Sequence, residues 1–159
     1  MAPFTFNLQP VLEVRERIED ERKRDYAGGL AEHRVVLRRL EAAEAELQAS
    51  LTRLRSNRTR HDPRAFEDAF AEVAYLREQR QVARRRVQES EVRLQQLRES
   101  LLAATKDKNV MEKLKERRRA AYYEARRLIE EQEIDDANVI RTSNNATLRR
   151  ENEDLGFSS

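Results

Sequence analysis

Apolar side chains recur along most of this chain at steps of three and four residues. Between Leu30 and Leu54 they fall at Leu30, Leu37, Leu40, Leu47, Leu51 and Leu54, with only His33 and Glu44 interrupting the series. This is the heptad seam of a helix that packs lengthwise on another helix. Upstream, Leu8, Val11, Ile18, Tyr26 and Leu30 continue the stripe. The steps from Ile18 through Tyr26 to Leu30 are multiples of four, which predicts a stutter in the supercoil. Gly28 and Gly29 fall in this stretch, where each costs a helix about 1 kcal/mol relative to Ala. They predict either a soft point or a close helix crossing.

Ser56 to Pro63 reads S-N-R-T-R-H-D-P, the only turn-like cluster in the middle of the chain, and Asp62 before Pro63 suits an N-cap and first helical position. Beyond it Phe66, Phe70, Val73, Ala83, Val87, Leu94, Leu97, Leu101 and Ala104 resume the alternation. The stripe drifts in phase through Met111, Leu114, Ala121, Ala125 and Leu128, and no Gly or Pro intervenes from Arg64 to Leu155. A short connection makes successive helices antiparallel neighbours. The predicted fold is therefore all-α: an antiparallel coiled-coil hairpin over residues 1–137, with helix one at about 8–57, a turn at 57–63 and helix two at about 63–137. A rise of 1.5 Å per residue gives lengths of roughly 75 Å and roughly 110 Å. Pairing outward from the turn sets Leu8 near Met111, so residues from about Leu114 onward form an unpartnered amphipathic segment that wants another protein. Residues 138–159 are mostly polar and poor in helix formers, which predicts a frayed or disordered tail.

Composition sharpens this picture. Ala, Glu, Lys, Leu and Arg supply 90 of 159 residues, a mixture typical of long helices. Aromatics make up 6% and Trp is absent, so a deep cavity within a large core is not expected. With no Cys, disulfides, thiolate metal sites and a Cys nucleophile are excluded. The 32 basic and 30 acidic side chains nearly cancel, which does not announce nucleic acid or an anionic membrane as main partner. No run of 18 apolar residues exists, and Met1 to Pro10 has neither a basic start nor an apolar signal core, so we expect a cytoplasmic protein with no direct membrane insertion.

Candidate chemistry is sparse. Gly28-Gly29 lacks the residues that cradle a nucleotide. His33 and His61 sit in no zinc pattern, and the carboxylates lie among Arg residues at helix-surface spacings. No catalytic residue, metal or cofactor is expected. The triplets Arg84 to Arg86 and Arg117 to Arg119 are diluted by neighbouring Glu residues; the second lies in the unpartnered segment, where it can meet acidic loops of a partner. Phe66 and Phe70, with Leu47, Leu51 and Leu54 opposite, either close the hairpin tip or form a partner-binding patch. Phe4 and Phe6 either staple the start of helix one or pack on helix two.

Two segments carry a resemblance. Phe4, Phe6, Leu8, Val11, Leu12, Arg15 and Glu19 give F-x-F-x-L-x-x-V-L-x-x-R-x-x-x-E, and Met111 to Ala137 reads M-E-K-L-K-E-R-R-R-A-A-Y-Y-E-A-R-R-L-I-E-E-Q-E-I-D-D-A. At this separation, in a chain of this length, they resemble the FliJ family of bacterial flagellar export proteins. The resemblance implies a stalk-like antiparallel coiled coil lodged in the hexameric ring of the flagellar export ATPase and reaching the export-gate membrane protein, at the cytoplasmic face of the inner membrane. The family is also credited with escorting empty substrate chaperones. Carried over by motif, Glu112, Leu114, Glu116, Arg117 and Arg118 would meet the ATPase ring, with Phe6, Leu8 and Leu12 beside them. Phe66 and Phe70, flanked by Leu47 and Leu51, would face the export gate. The chain departs from the family pattern at Val73 and Ala74, where larger residues are common, and in its longer tail.

Three other readings compete with it. One is the stalk protein of a virulence-type injection system, which shares the hairpin and the type of ATPase partner. Another is a generic coiled-coil scaffold that dimerises through its seam, where the hairpin is expected to be monomeric. The third is an Arg-rich nucleic-acid binder, whose affinity would fall steeply with salt.

Overall fold

The computed structural model describes residues 2–57, 62–154 and 156. They form two helices, α1 (Gln9–Asn57) and α2 (Pro63–Asp154), packed against each other as an all-α hairpin. Arg58 to His61, the middle of the expected turn, lie outside the described residues. The exit from the turn follows its sequence: the Arg64 amide donates to Asp62 Oδ1 at 3.1 Å and the Phe66 amide to the Asp62 carbonyl at 3.2 Å, with Pro63 at the first helical position. Two compact units are distinguished, Val11–Asn109 and a second made of Met1–Pro10 with Val110–Ser159.

In the first unit the helices run antiparallel. Arg53 pairs with Glu72, Glu44 with Arg84, His33 with Ser90, Glu32 with Arg93, Glu19 with Lys108 and Arg15 with Asp107. The core sits near the turn, where Leu47, Val73 and Leu76 are buried and Leu51 and Leu54 pack against them. The expected stutter is not there. Leu12, Glu19, Tyr26, His33, Leu40, Leu47 and Leu54, seven apart, are all buried or half-buried, and so are Gly29, Val36, Ala43 and Ser50. On α2 the matching rows are Val73, Arg80, Val87, Leu94, Leu101 and Lys108, and Leu76, Ala83, Ser90, Leu97, Ala104 and Met111. The row from Leu12 to Leu54 runs without a shift, although Arg22, one heptad before Gly29, is exposed, and the polar members of the row hid it from a reading by hydrophobicity.

Register and helix length also differ from expectation. Gln9 lies against Lys115 and Asn7 against Arg118, about a turn beyond the expected pairing of Leu8 with Met111. The offset is already present at Arg53 and Glu72. The first turns of α2, from Pro63 to Asp68, are exposed, so burial along α2 starts beyond them. Nor does helix two end near Ala137: α2 continues to Asp154 through the segment expected to be frayed or disordered. No Gly or Pro interrupts it, and Thr142 and Thr147 donate their hydroxyls to the carbonyls of Asn138 and Ser143. Gly156, at φ 54°, takes the left-handed conformation that closes helices.

Candidate partner-binding face

The second unit brings together side chains from the two ends of the chain. Phe4 stacks on Tyr122 with ring centroids 5.7 Å apart and planes inclined by 50°. Arg118 lies over the Phe6 ring with its Cζ 5.8 Å from the centroid, and Phe6 is only 8% exposed. Arg118 also donates to Asn7 Oδ1 at 2.6 Å, Lys115 Nζ to Gln9 Oε1 at 2.8 Å, and the Tyr122 hydroxyl to the Ala2 carbonyl. Phe4 and Phe6 thus pack on α2. The aromatic pair contributes about 0.5–1.5 kcal/mol and the exposed cation–π contact about 0.5–1 kcal/mol. Together these hold a short segment without making it immovable.

Past Tyr122 the cover ends. The rows Lys115, Tyr122, Ile129 and Met111, Arg118, Ala125 keep their seven-residue step, yet Ala125 and Ile129 are exposed. Tyr123, Leu128, Ile134, Val139 and Ile140 are exposed too. The unpartnered part of α2 therefore begins about two turns later than Leu114, which is half-buried. On this stretch Arg126 pairs with Glu130, and Arg127 with Glu124 and Glu131. Arg119 lies 5.9 Å from the Tyr123 ring centroid. Arg117, exposed, makes no ion pair among the described residues.

The other candidate residues divide by burial. Glu116, Arg117 and Arg118 face solvent, Glu112 and Leu8 are half-buried, and Leu12 is buried with Phe6. Near the turn, Leu47 belongs to the core and Leu51 packs against it, whereas Phe66 and Phe70 are 40% and 58% exposed. The aromatic pair does not close the tip over Leu47; it stands on the outside of α2. Between Ala43 and Ala83 the thin side chains leave a groove of about 350 Å³, edged by Arg39, Tyr75 and Arg86.

One charged constellation was not foreseen. Glu19, 5% exposed, receives Lys108 Nζ at 2.8 Å, Lys23 Nζ at 3.2 Å and the Thr105 hydroxyl at 3.1 Å. The Lys108 hydrogen bond holds the carboxyl below its ordinary range; burial opposes this, and Lys23 and Thr105 add to the lowering. His33, also in the seam, has Nδ1 2.7 Å from Ser90 Oγ. The Ser90 hydroxyl also lies 2.8 Å from the Val87 carbonyl, so His33 Nδ1 donates to Ser90 when that hydroxyl donates to Val87 and accepts from it otherwise. The seven-residue spacing from Leu12 and Leu40 was the signal that would have placed both residues inside.

Among the described residues no group of three His, Asp or Glu side chains could hold a metal ion, and no helix is long and apolar enough to cross a membrane. Compared with known proteins, the chain matches no family model, no curated protein and no solved structure.

Proposed function

We propose that this chain is a non-enzymatic component of a bacterial flagellar type III export apparatus, acting as a stalk in the hexameric export ATPase ring at the cytoplasmic face of the inner membrane. One observation carries the reading. The two segments that resemble the FliJ family lie 111 residues apart at the Asn7–Arg118 contact, yet they build a single surface from Phe4, Phe6, Arg118 and Tyr122. The two motifs that carry the resemblance lie far apart in the chain, and a shared binding surface is a reason for both to be present. The face offered to the ring consists of Glu116, Arg117 and Arg118 with the exposed apolar residues that follow Tyr122. Leu114, Glu112, Leu8, Leu12 and Phe6 form its support, and Phe66 and Phe70 are the exposed pair offered to the export gate. Escort of substrate chaperones belongs to the same reading.

A helix pair seated in a ring acts on an ATPase by binding some ring states better than others. The test adds the purified chain to the flagellar export ATPase of the same organism and measures turnover. The intact chain should stimulate it, and Leu114→Ala/Arg117→Glu should lose most of that stimulation. Equal stimulation by both, or none by the intact chain, overturns the placement.

A further inference from the structure

Half-buried Lys115 and Tyr122 and exposed Arg118 donate to a segment that, among the described residues, offers them only neutral acceptors: the side-chain amides of Gln9 and Asn7 and the carbonyl of Ala2. Residues 1–12 contain no Asp or Glu at all. A carboxylate accepting from Lys or Arg makes a bond roughly twice as strong as a neutral oxygen does, so this cationic face is underserved by its own cover. Apart from buried Phe6, the cover has little regular structure to hold it. Ala2 to Phe6 has no regular structure, Asn7 and Leu8 form a turn, and the only backbone–backbone bond described for the segment is Gln9 N–H to the Phe6 carbonyl. Pro10 lies just inside α1 and separates the segment from the rest of that helix. On the same stretch of α2 Met111, Leu114 and Tyr122 are half-buried, and Ala125 and Ile129 continue the rows of Met111 and Tyr122 in the open.

From these facts we propose that residues 2–8 are an autoinhibitory strap, a neutral stand-in that an acidic, apolar-faced segment of a partner protein displaces from Lys115, Arg118 and Tyr122. Displacement turns the covered face and the exposed stretch beyond it into one continuous binding strip, and it frees Phe4 and Phe6 to contact the same partner. Glu112 and Glu116 on the flanks restrict the partner's carboxylates to the Lys115 and Arg118 row. The identity of that partner as the ATPase ring rests on the function proposed above; the strap itself does not.

The chain has no Cys, so Thr5→Cys/Ala121→Cys accepts a single pair of spin labels whose separation reports the strap. Poly-L-glutamate at low salt is the acidic probe, and the export ATPase is the second. The proposal expects the label separation to lengthen and broaden with poly-L-glutamate and to return when salt is added. Phe4→Ala/Phe6→Ala in the labelled chain should respond at a severalfold lower probe concentration, and Lys115→Gln/Arg118→Gln should not respond. A separation that never moves with either probe overturns the strap, as does an equal response from the Lys115→Gln/Arg118→Gln chain. Binding of the ATPase with no change in separation overturns the strap and leaves the ring reading standing. A response to poly-L-glutamate with no ATPase binding does the reverse.

Discussion

At Gly29 a missing side chain sets how closely two helices meet. A Cβ built there would come within 2.6 Å of Leu97 Cδ1, whereas one at Gly28 meets nothing within 4 Å. The two neighbours thus separate the two explanations of a glycine pair inside a helix. Gly28 is exposed and contributes only backbone freedom; Gly29 is buried and accepts a leucine from α2. Gly28→Ala should raise unfolding stability by about 0.5–1 kcal/mol through helix propensity and a less free unfolded chain. Gly29→Ala gains the same term but must turn the Leu97 Cδ1 methyl aside, so its net gain should be smaller than that of Gly28→Ala. Denaturant midpoints of the two variants decide this: equal stabilisation by both would show that Leu97 does not pack on Gly29. A cycle with Leu97→Ala should return a coupling above about 0.5 kcal/mol for position 29 and none for position 28.

At the level of elements, the existence, order and antiparallel pairing of α1 and α2 were legible, because heptad spacing and one Asp-Pro helix start suffice for them. The depth of individual positions was not. Leu30 and Leu51 mark the stripe by hydrophobicity, yet Gly29 and Ser50 beside them are the buried members. Ser50 is 1% exposed with an unpartnered Oγ. In the same way Glu19 and His33 occupy the inner row because partners on α2 satisfy them, and a partner 57 or 86 residues away cannot be read from spacing on one helix. The candidate binding face was legible as basic and apolar. Its cover was legible in part, since Phe4 and Phe6 were expected either to staple the start of helix one or to pack on helix two. Its exact reach was not, because the pairing register depended on how α2 leaves the turn. The end of α2 was missed for a different reason: poor helix formers lower propensity, but only Gly156 supplies a stop. Every described side chain from Glu130 to Glu153 is exposed, so this stretch adds helix without burying a core. Deleting residues 138–159 should therefore lower the total helical signal while moving the unfolding midpoint by less than about 0.5 kcal/mol equivalent. A drop of several degrees would mean that the stretch packs on something it does not touch here.

Over the whole molecule, basic and acidic side chains nearly cancel, and most ion pairs join partners that are both about half exposed. Such pairs contribute about 0–1 kcal/mol each and are weakened by salt. The response of the hairpin to acid therefore concentrates on Glu19. Its folded carboxyl titrates below the ordinary value of 4.5, chiefly because Lys108 donates to its charged form. The linkage sign follows: the folded chain binds the proton less readily than the unfolded chain, so this stabilisation is fully present above the unfolded pKa and is lost as pH falls through the folded one. A buried ion pair is poor proof of net stability but a good device for fixing register, and Glu19 holds α1 to Lys108 and Thr105 at one alignment only. Thermal unfolding followed against pH should show a plateau near neutrality and a fall below about pH 4.5. Glu19→Gln should lower the plateau by about 1–3 kcal/mol, the loss of the charge-assisted hydrogen bonds from Lys108 and Lys23 to a buried carboxylate, and should flatten the acid limb because the titrating group is gone. An acid limb that keeps its native slope in the variant would place the acid response on the surface carboxylates and remove Glu19 as the charged pin of the hairpin.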